Sequence, residues 1–185
     1  MAKFSDTVLK TERLVLRPVA PADADALFAM RSDPEVQRYG SHGPWTERQT
    51  AVDYITRMTA YLEAGDPPQF AIERQADHAV VGTCTLFHLD TQSRRAECGY
   101  VLRRSEWGRG YAVEAMTAVL DWGFDTLGLH RVEADLDPRN APSARLLERL
   151  GFQREGHLRE RWIVDGEITD SWIYGLLASE WRASR

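Results

Sequence analysis

Trp107-Gly108-Arg109-Gly110-Tyr111-Ala112 places two glycines one residue apart, immediately before an apolar helical repeat begins. The stretch before it, Cys98 to Leu102, reads as a strand. The chain thus passes from strand to helix here, and several free backbone N–H groups converge at the helix start. A helix carries roughly half a positive charge at that end, and glycines lack the Cβ that would hold an anion off the backbone. Arg109 and the nearby Arg103 add cationic donors suited to phosphate, within a chain of net charge -5. A glycine pair of this kind also serves as a plain turn with no ligand. The spacing is neither Gly-x-Gly-x-x-Gly nor that of a P-loop with its lysine and hydroxyl, so dinucleotide and nucleoside-triphosphate sites are disfavoured.

The surrounding residues narrow the reading. Glu97-Cys98-Gly99-Tyr100 precedes the segment, Glu114-Ala115 continues it, and Asn140, Ser143 and Gly151-Phe152 follow. Together these resemble the GNAT N-acetyltransferases, whose pyrophosphate loop reads Gln/Arg-x-x-Gly-x-Gly/Ala. Trp107 stands at the first position of that pattern instead of Gln or Arg, which is similar to the RimJ/RimL-like branch that acetylates ribosomal-protein N-termini. The likeness runs from about Leu14 to Leu177.

The resemblance implies an α/β fold of the α+β kind, with a mixed, mostly antiparallel sheet of about seven strands flanked by about four helices. It implies acetyl-CoA as co-substrate, no metal, and transfer of the acetyl group to a primary amine by direct attack on the thioester. Backbone groups of Tyr100, Val101 and Leu102 would then meet the pantetheine arm, and a main-chain N–H near Val101 would receive the oxyanion. Arg103 and the segment Trp107, Gly108, Arg109, Gly110, Tyr111 and Ala112 would hold the pyrophosphate. Asn140, following Asp137-Pro138-Arg139, is in any case placed to cap a helix; by likeness its amide also reaches the pantetheine. Ser143 matches the hydroxyl that protonates the departing thiolate in the ribosomal branch, while Leu147 occupies the place of the tyrosine that many relatives use.

The base is open. Strand alternation puts Glu97, Gly99 and Val101 on one face, which makes Glu97 a candidate base as well as a candidate surface ion pair. The branch carries another carboxylate where this chain has Trp162, with Glu160 two residues earlier on the same face. Trp45 either lines the amine pocket or staples the helix after it. The acceptor is a protein N-terminal amine or a small-molecule amine such as an antibiotic, polyamine or amino-acid derivative. Because Leu147 and Trp162 both depart from the catalytic pattern, a non-catalytic acyl-CoA-binding module is a further alternative.

The elements that must position these residues follow from periodicity. Arg13 to Val19 alternates as a strand, and Asp23 to Asp33 is a short helix stopped by Pro34. Thr46 and Gln49 form a capping box for a helix carrying Val52, Ile55, Met58 and Leu62 on one face and ending at Gly65. Gln69 to Arg74, Val80 to Leu89 and Ala96 to Leu102 are three strands in an antiparallel meander. A helix of about four turns starts at Tyr111 and is closed by Gly128. Arg131 to Leu136 is a strand, Asn140 to Leu150 an amphipathic helix closed by Gly151, and Phe152 to Leu177 two strands folded about Asp165-Gly166. Trp122, Phe124 and Phe152 belong to the core, and Ala178 to Arg185 reads as a polar tail.

The 185 residues fit one domain, 1–185 with a core of about 12–178, at 43% hydrophobic and 28% charged content. The acidic balance argues against a nucleic-acid partner. Cys84 and Cys98 have no metal or redox spacing and read as free thiols, and the five histidines are scattered. No apolar run approaches the roughly 20 residues of a membrane helix, nor is there a signal-peptide h-region, so the expectation is a cytoplasmic monomer or homodimer. The Trp162 to Trp172 hairpin is the surface that suits a dimer contact.

Overall fold

A computed structural model of the chain describes residues 4–184. Its centre is an eight-stranded sheet in the order β1-β2-β3-β4-β5-β6-β8-β7. The strands are β1 (Leu9–Lys10), β2 (Leu14–Pro18), β3 (Phe70–Arg74), β4 (Val80–Asp90), β5 (Arg95–Leu102), β6 (Arg131–Leu136), β7 (Gln153–Val164) and β8 (Glu167–Leu177). The helices are α1 (Ala24–Arg31), α2 (Pro34–Gln37), α3 (Arg48–Ala64), α4 (Tyr111–Asp121), α5 (Ala141–Arg149) and α6 (Ala178–Ala183). β3, β4 and β5 form the expected antiparallel meander.

Among the described residues the one parallel pair is β5 with β6, and its register runs only from Arg95↔Arg131 to Glu97↔Glu133. Beyond that point the two strands part. β6 continues to Leu136 against β8, while β5 continues to Leu102 with β4 as its strand partner among the described residues. The middle of the sheet thus presents an open strand edge whose backbone groups require partners from elsewhere.

One face is covered by α4, which buries Tyr111, Ala115, Met116, Val119 and Leu120 against Leu14, Leu16, Phe70, Ile72 and Leu86. Ala144 and Leu147 of α5 join the same core. On the other face α1 and α3 pack Leu27, Ala51, Ile55 and Trp45 on Ala71. Trp122, Phe124 and Phe152 are buried as the sequence suggests.

Local signals were overridden in four places. Pro34 starts α2 rather than merely ending α1: it sits in the first turn, where its missing N–H costs nothing, and Asp33 caps it by accepting from the Glu35 N–H at 2.9 Å. The Thr46 capping box does not form. Glu47 is the N-cap of α3 without a side-chain bond, and Gln49 instead donates to Asp53. The entry to that helix is set by Trp45, whose N–H bonds the Arg31 carbonyl at 2.9 Å and whose indole is buried. The long helix after Tyr111 changes to a π turn over Trp122–Thr126 before Gly128. The polar-looking tail is α6: Trp181 is buried and its indole N–H donates to Asp121, giving a short amphipathic helix a single large anchor. At the opposite edge the β7–β8 hairpin exposes Ile163 and Ile168.

Candidate active site

The open edge of β5 forms the floor of a cleft of about 1560 Å³, walled by the α4 N-terminus and α5 on one side and by α1, α2 and α3 on the other. Such a volume exceeds the roughly 300–1,000 Å³ of a small-ligand pocket, so it has room for two reactants. Four side-chain atoms among the described residues are buried without a hydrogen-bond partner: Arg31 Nε, Thr83 Oγ1, Tyr100 OH and Ser171 Oγ. The first three belong to residues lining this cleft. Buried polar atoms are nearly always bonded to protein or water, so this concentration sets the lining of the cleft apart from the rest of the interior.

At the α4 end, Gly108 has φ +75° and Gly110 φ +81°, left-handed conformations that an L side chain resists. Gly110 is the N-cap of α4, and a Cβ on Gly108 would meet no protein atom within 4 Å. These glycines therefore shape a turn that leaves the helix N–H groups bare. The turn is braced from behind. Glu114, in the first turn of α4, accepts from Thr11 Oγ1 at 2.6 Å and from the Arg13 backbone N–H at 2.8 Å, and pairs with the Arg13 guanidinium. Arg13 also donates to the Arg109 carbonyl at 3.0 Å and lies over the Tyr111 ring. Burial raises the Glu114 pKa, but the bonds from Thr11 and Arg13 outweigh it and leave the carboxyl below its usual value.

Trp107 donates its indole N–H to the Leu102 carbonyl at 3.0 Å, tying the turn to the end of β5. Of the candidate residues, Tyr100, Val101, Leu102, Trp107, Gly108, Gly110, Tyr111, Ala112, Asn140 and Ser143 all line the cleft. Arg103, Arg109 and Glu97 are not among its lining residues. The Arg103 guanidinium bonds the Val80 carbonyl, and Arg109 pairs loosely with Glu106 at 3.6 Å. Two arginines that the sequence reading passed over, Arg145 and Arg149 on α5, line the cleft instead.

Asn140 caps α5, its Oδ1 accepting from the Ser143 N–H at 3.2 Å, which leaves the amide hydrogens for another partner. Across from it stands Tyr100. Burial pushes the Tyr100 phenol well above its ordinary pKa; the Ser143 hydroxyl approaches closely enough to oppose that shift, short of hydrogen-bonding geometry. Leu147 is buried in the core. Glu97 bonds His88 Nδ1 at 3.1 Å, and it is His88, 70% exposed, that faces the cleft. Glu160 sits in a bulge of β7 outside the cleft lining, its N–H donating to Asp170, and Trp162 donates to Asp135. Trp45 is buried with the α1 and α3 residues and also lines the cleft.

Both cysteines are buried, and loss of solvation raises the thiols, Cys98 to about 12. No group of three or more His, Cys, Asp or Glu among the described residues is arranged to hold a metal. No helix of the described residues is long and apolar enough to cross a membrane.

An acetyltransferase (GNAT) domain matches residues 13–153. The chain is 40% identical over 173 residues, covering 94% of its own length and 97% of the other protein, to an uncharacterized N-acetyltransferase, p20, of Bacillus licheniformis. It is 27% identical to the [ribosomal protein uS5]-alanine N-acetyltransferase of Escherichia coli (strain K12), over 96% of this chain and 94% of that one. The crystal structure of a GNAT-family acetyltransferase from Bacillus anthracis matches with a TM-score of 0.84 at 27% identity, covering 94% of this chain and 100% of the other. The strand-to-helix turn, the parted strands and these likenesses agree, and the chain belongs to the GNAT family of N-acetyltransferases.

Proposed function

We propose that the chain transfers an acetyl group from acetyl-CoA to a primary amine bound in the α1–α3 half of the cleft. The observation that carries this is the parting of β5 from β6 past Glu97, which leaves a strand edge bordered by Tyr100, Ser143 and the glycine turn. The pantetheine arm completes the backbone bonding of Tyr100 and Leu102, whose groups face the open edge while those of Val101 turn to Thr83 on β4, with the Asn140 amide as side-chain donor. The pyrophosphate lies on the N–H groups between Gly108 and Ala112, with Arg145 and Arg149 of α5 as cations on the same wall of the cleft.

In this reading the neutral amine attacks the thioester carbonyl, and the carbonyl oxygen's charge is met by a backbone N–H near Val101. The C–S bond then breaks, and the thiolate takes its proton from Ser143, which is re-protonated from solvent along the Tyr100 side. The amine's proton leaves by water towards His88, whose ring is held by Glu97, so Glu97 acts as a positioning residue. An amine of pKa near 8 needs only modest help of this kind at neutral pH. Mixing protein, acetyl-CoA and a panel of amines and following CoA thiol release tests the proposal. Release that depends on both acetyl-CoA and an amine supports it; coenzyme binding with no release for any amine favours an acyl-CoA-binding module.

A further inference from the structure

Arg31, in the last turn of α1, is the sheltered cation that this protein does not pair. Its guanidinium lies over the rings of Trp45 at 5.4 Å and Tyr54 at 5.3 Å, and its Nε is buried without an acceptor. Among the described residues it makes no ion pair. The comparably sheltered arginines behave otherwise: Arg17 holds Asp23 and Glu73, Arg74 holds Asp77 and Glu106, and Arg131 holds Glu133 and Glu155. Burial works to lower the Arg31 pKa, with Tyr54 opposing. An unpaired, largely desolvated cation is destabilising unless an anion reaches it.

Resting on the transfer reading, we propose that the acceptor amine carries a carboxylate and that Arg31 receives it. With Trp45 and Tyr54 over the guanidinium and no acceptor on Nε, Arg31, a residue of the cleft lining, suits a planar, two-pronged contact of the kind a carboxylate makes. The same half of the cleft carries Arg38 and Arg57, neither in an ion pair among the described residues, together with Glu35, Asp53 and Asp66. That mixture suits an acceptor bearing both signs. A polyamine, by contrast, would set a cation against the half-buried Arg31.

The test uses matched acceptors, free amino acids against their amides, with acetyl-CoA saturating. In the wild-type protein kcat/KM for acids should exceed that for amides by about tenfold or more, the worth of one charged hydrogen-bonded pair. Arg31→Gln should bring the ratio to about one through KM for the acids, and Arg31→Lys should retain part of it. Equal wild-type values for acids and amides, or an Arg31→Gln loss that falls equally on both, overturns the proposal. Calorimetric titration of CoA-loaded protein with the same acids and amides reads the carboxylate without turnover. If no acceptor is acetylated yet acids still bind more tightly through Arg31, the carboxylate site stands and the transfer reading falls. If acids and amides bind alike, or neither binds, the carboxylate site falls.

Discussion

Replacing Gly108 by alanine separates backbone strain from coenzyme recognition, because Gly128 supplies a matched control. Both residues are left-handed, at φ +75° and +68°, and a Cβ on either would meet no protein atom within 4 Å. The added methyl therefore costs each variant the same conformational energy, about 1–2 kcal/mol. In a chain of this size that lowers Tm by roughly 2–8 °C. Gly108 lines the cleft and Gly128 does not. If the N–H groups of the turn hold pyrophosphate, the Gly108→Ala methyl sits where the phosphate oxygens must approach. Losing one charged hydrogen bond there, at about 1.5–3 kcal/mol, raises KM for acetyl-CoA by roughly tenfold to somewhat over a hundredfold. Gly128→Ala should match the Tm shift with KM unchanged. The assay is thermal unfolding of both variants beside initial-rate thiol release across acetyl-CoA concentrations. Equal KM values in the two variants would refute the phosphate role of the turn, however large the loss of stability.

Ser143→Ala should reduce kcat about a hundredfold, the low end of general-acid contributions, while leaving the calorimetric affinity for CoA in place; loss of affinity with kcat intact assigns Ser143 to binding alone. Glu114→Gln tests the brace behind the turn. The folded-state pKa of Glu114 is depressed, so its contribution is present above the unfolded carboxylate value of about 4.3 and is lost as pH falls through the folded one. Urea unfolding should show the wild-type advantage over Glu114→Gln at pH 7 shrinking below about pH 4, and an advantage that grows on acidification contradicts the pairing with Arg13. The two buried cysteines, with raised thiols, should stay silent to a disulfide reagent in the native protein and both react after unfolding. Rapid native labelling of either one contradicts that burial.

The parts of this molecule that a one-dimensional reading reaches are those whose cause is local. The meander of β3, β4 and β5 follows from alternation broken by polar turns, and α4 and α5 follow from their apolar stripes. The glycine turn follows from residues whose backbone freedom is intrinsic. Where a contact from elsewhere in the chain decides the outcome, local signals mislead. Thr46 offers a sound cap, yet the Trp45 N–H bond to the Arg31 carbonyl fixes the entry to α3 one residue later. The tail looks polar because a single residue, Trp181, supplies its anchor.

The candidate site divides along the same line. A sequence displays donors and acceptors but not whether each has found a partner, and it is the missing partners that single out Arg31 and Tyr100. Arginines run throughout this chain, and nothing in the spacing of Arg31 distinguishes it from Arg17, which is bonded on both sides. Arg103 and Arg109 looked like the natural phosphate cations because they flank the glycines, whereas the fold turns both from the cleft lining and presents Arg145 and Arg149 from another helix. Trp107 shows the converse. Set against the family pattern it is a substitution in the phosphate loop, and in the fold its indole bonds the Leu102 carbonyl at 3.0 Å. The residue that departs from the pattern is therefore the one that joins the glycine turn to the open edge of β5, so that the two halves of the proposed coenzyme site are held together by its hydrogen bond.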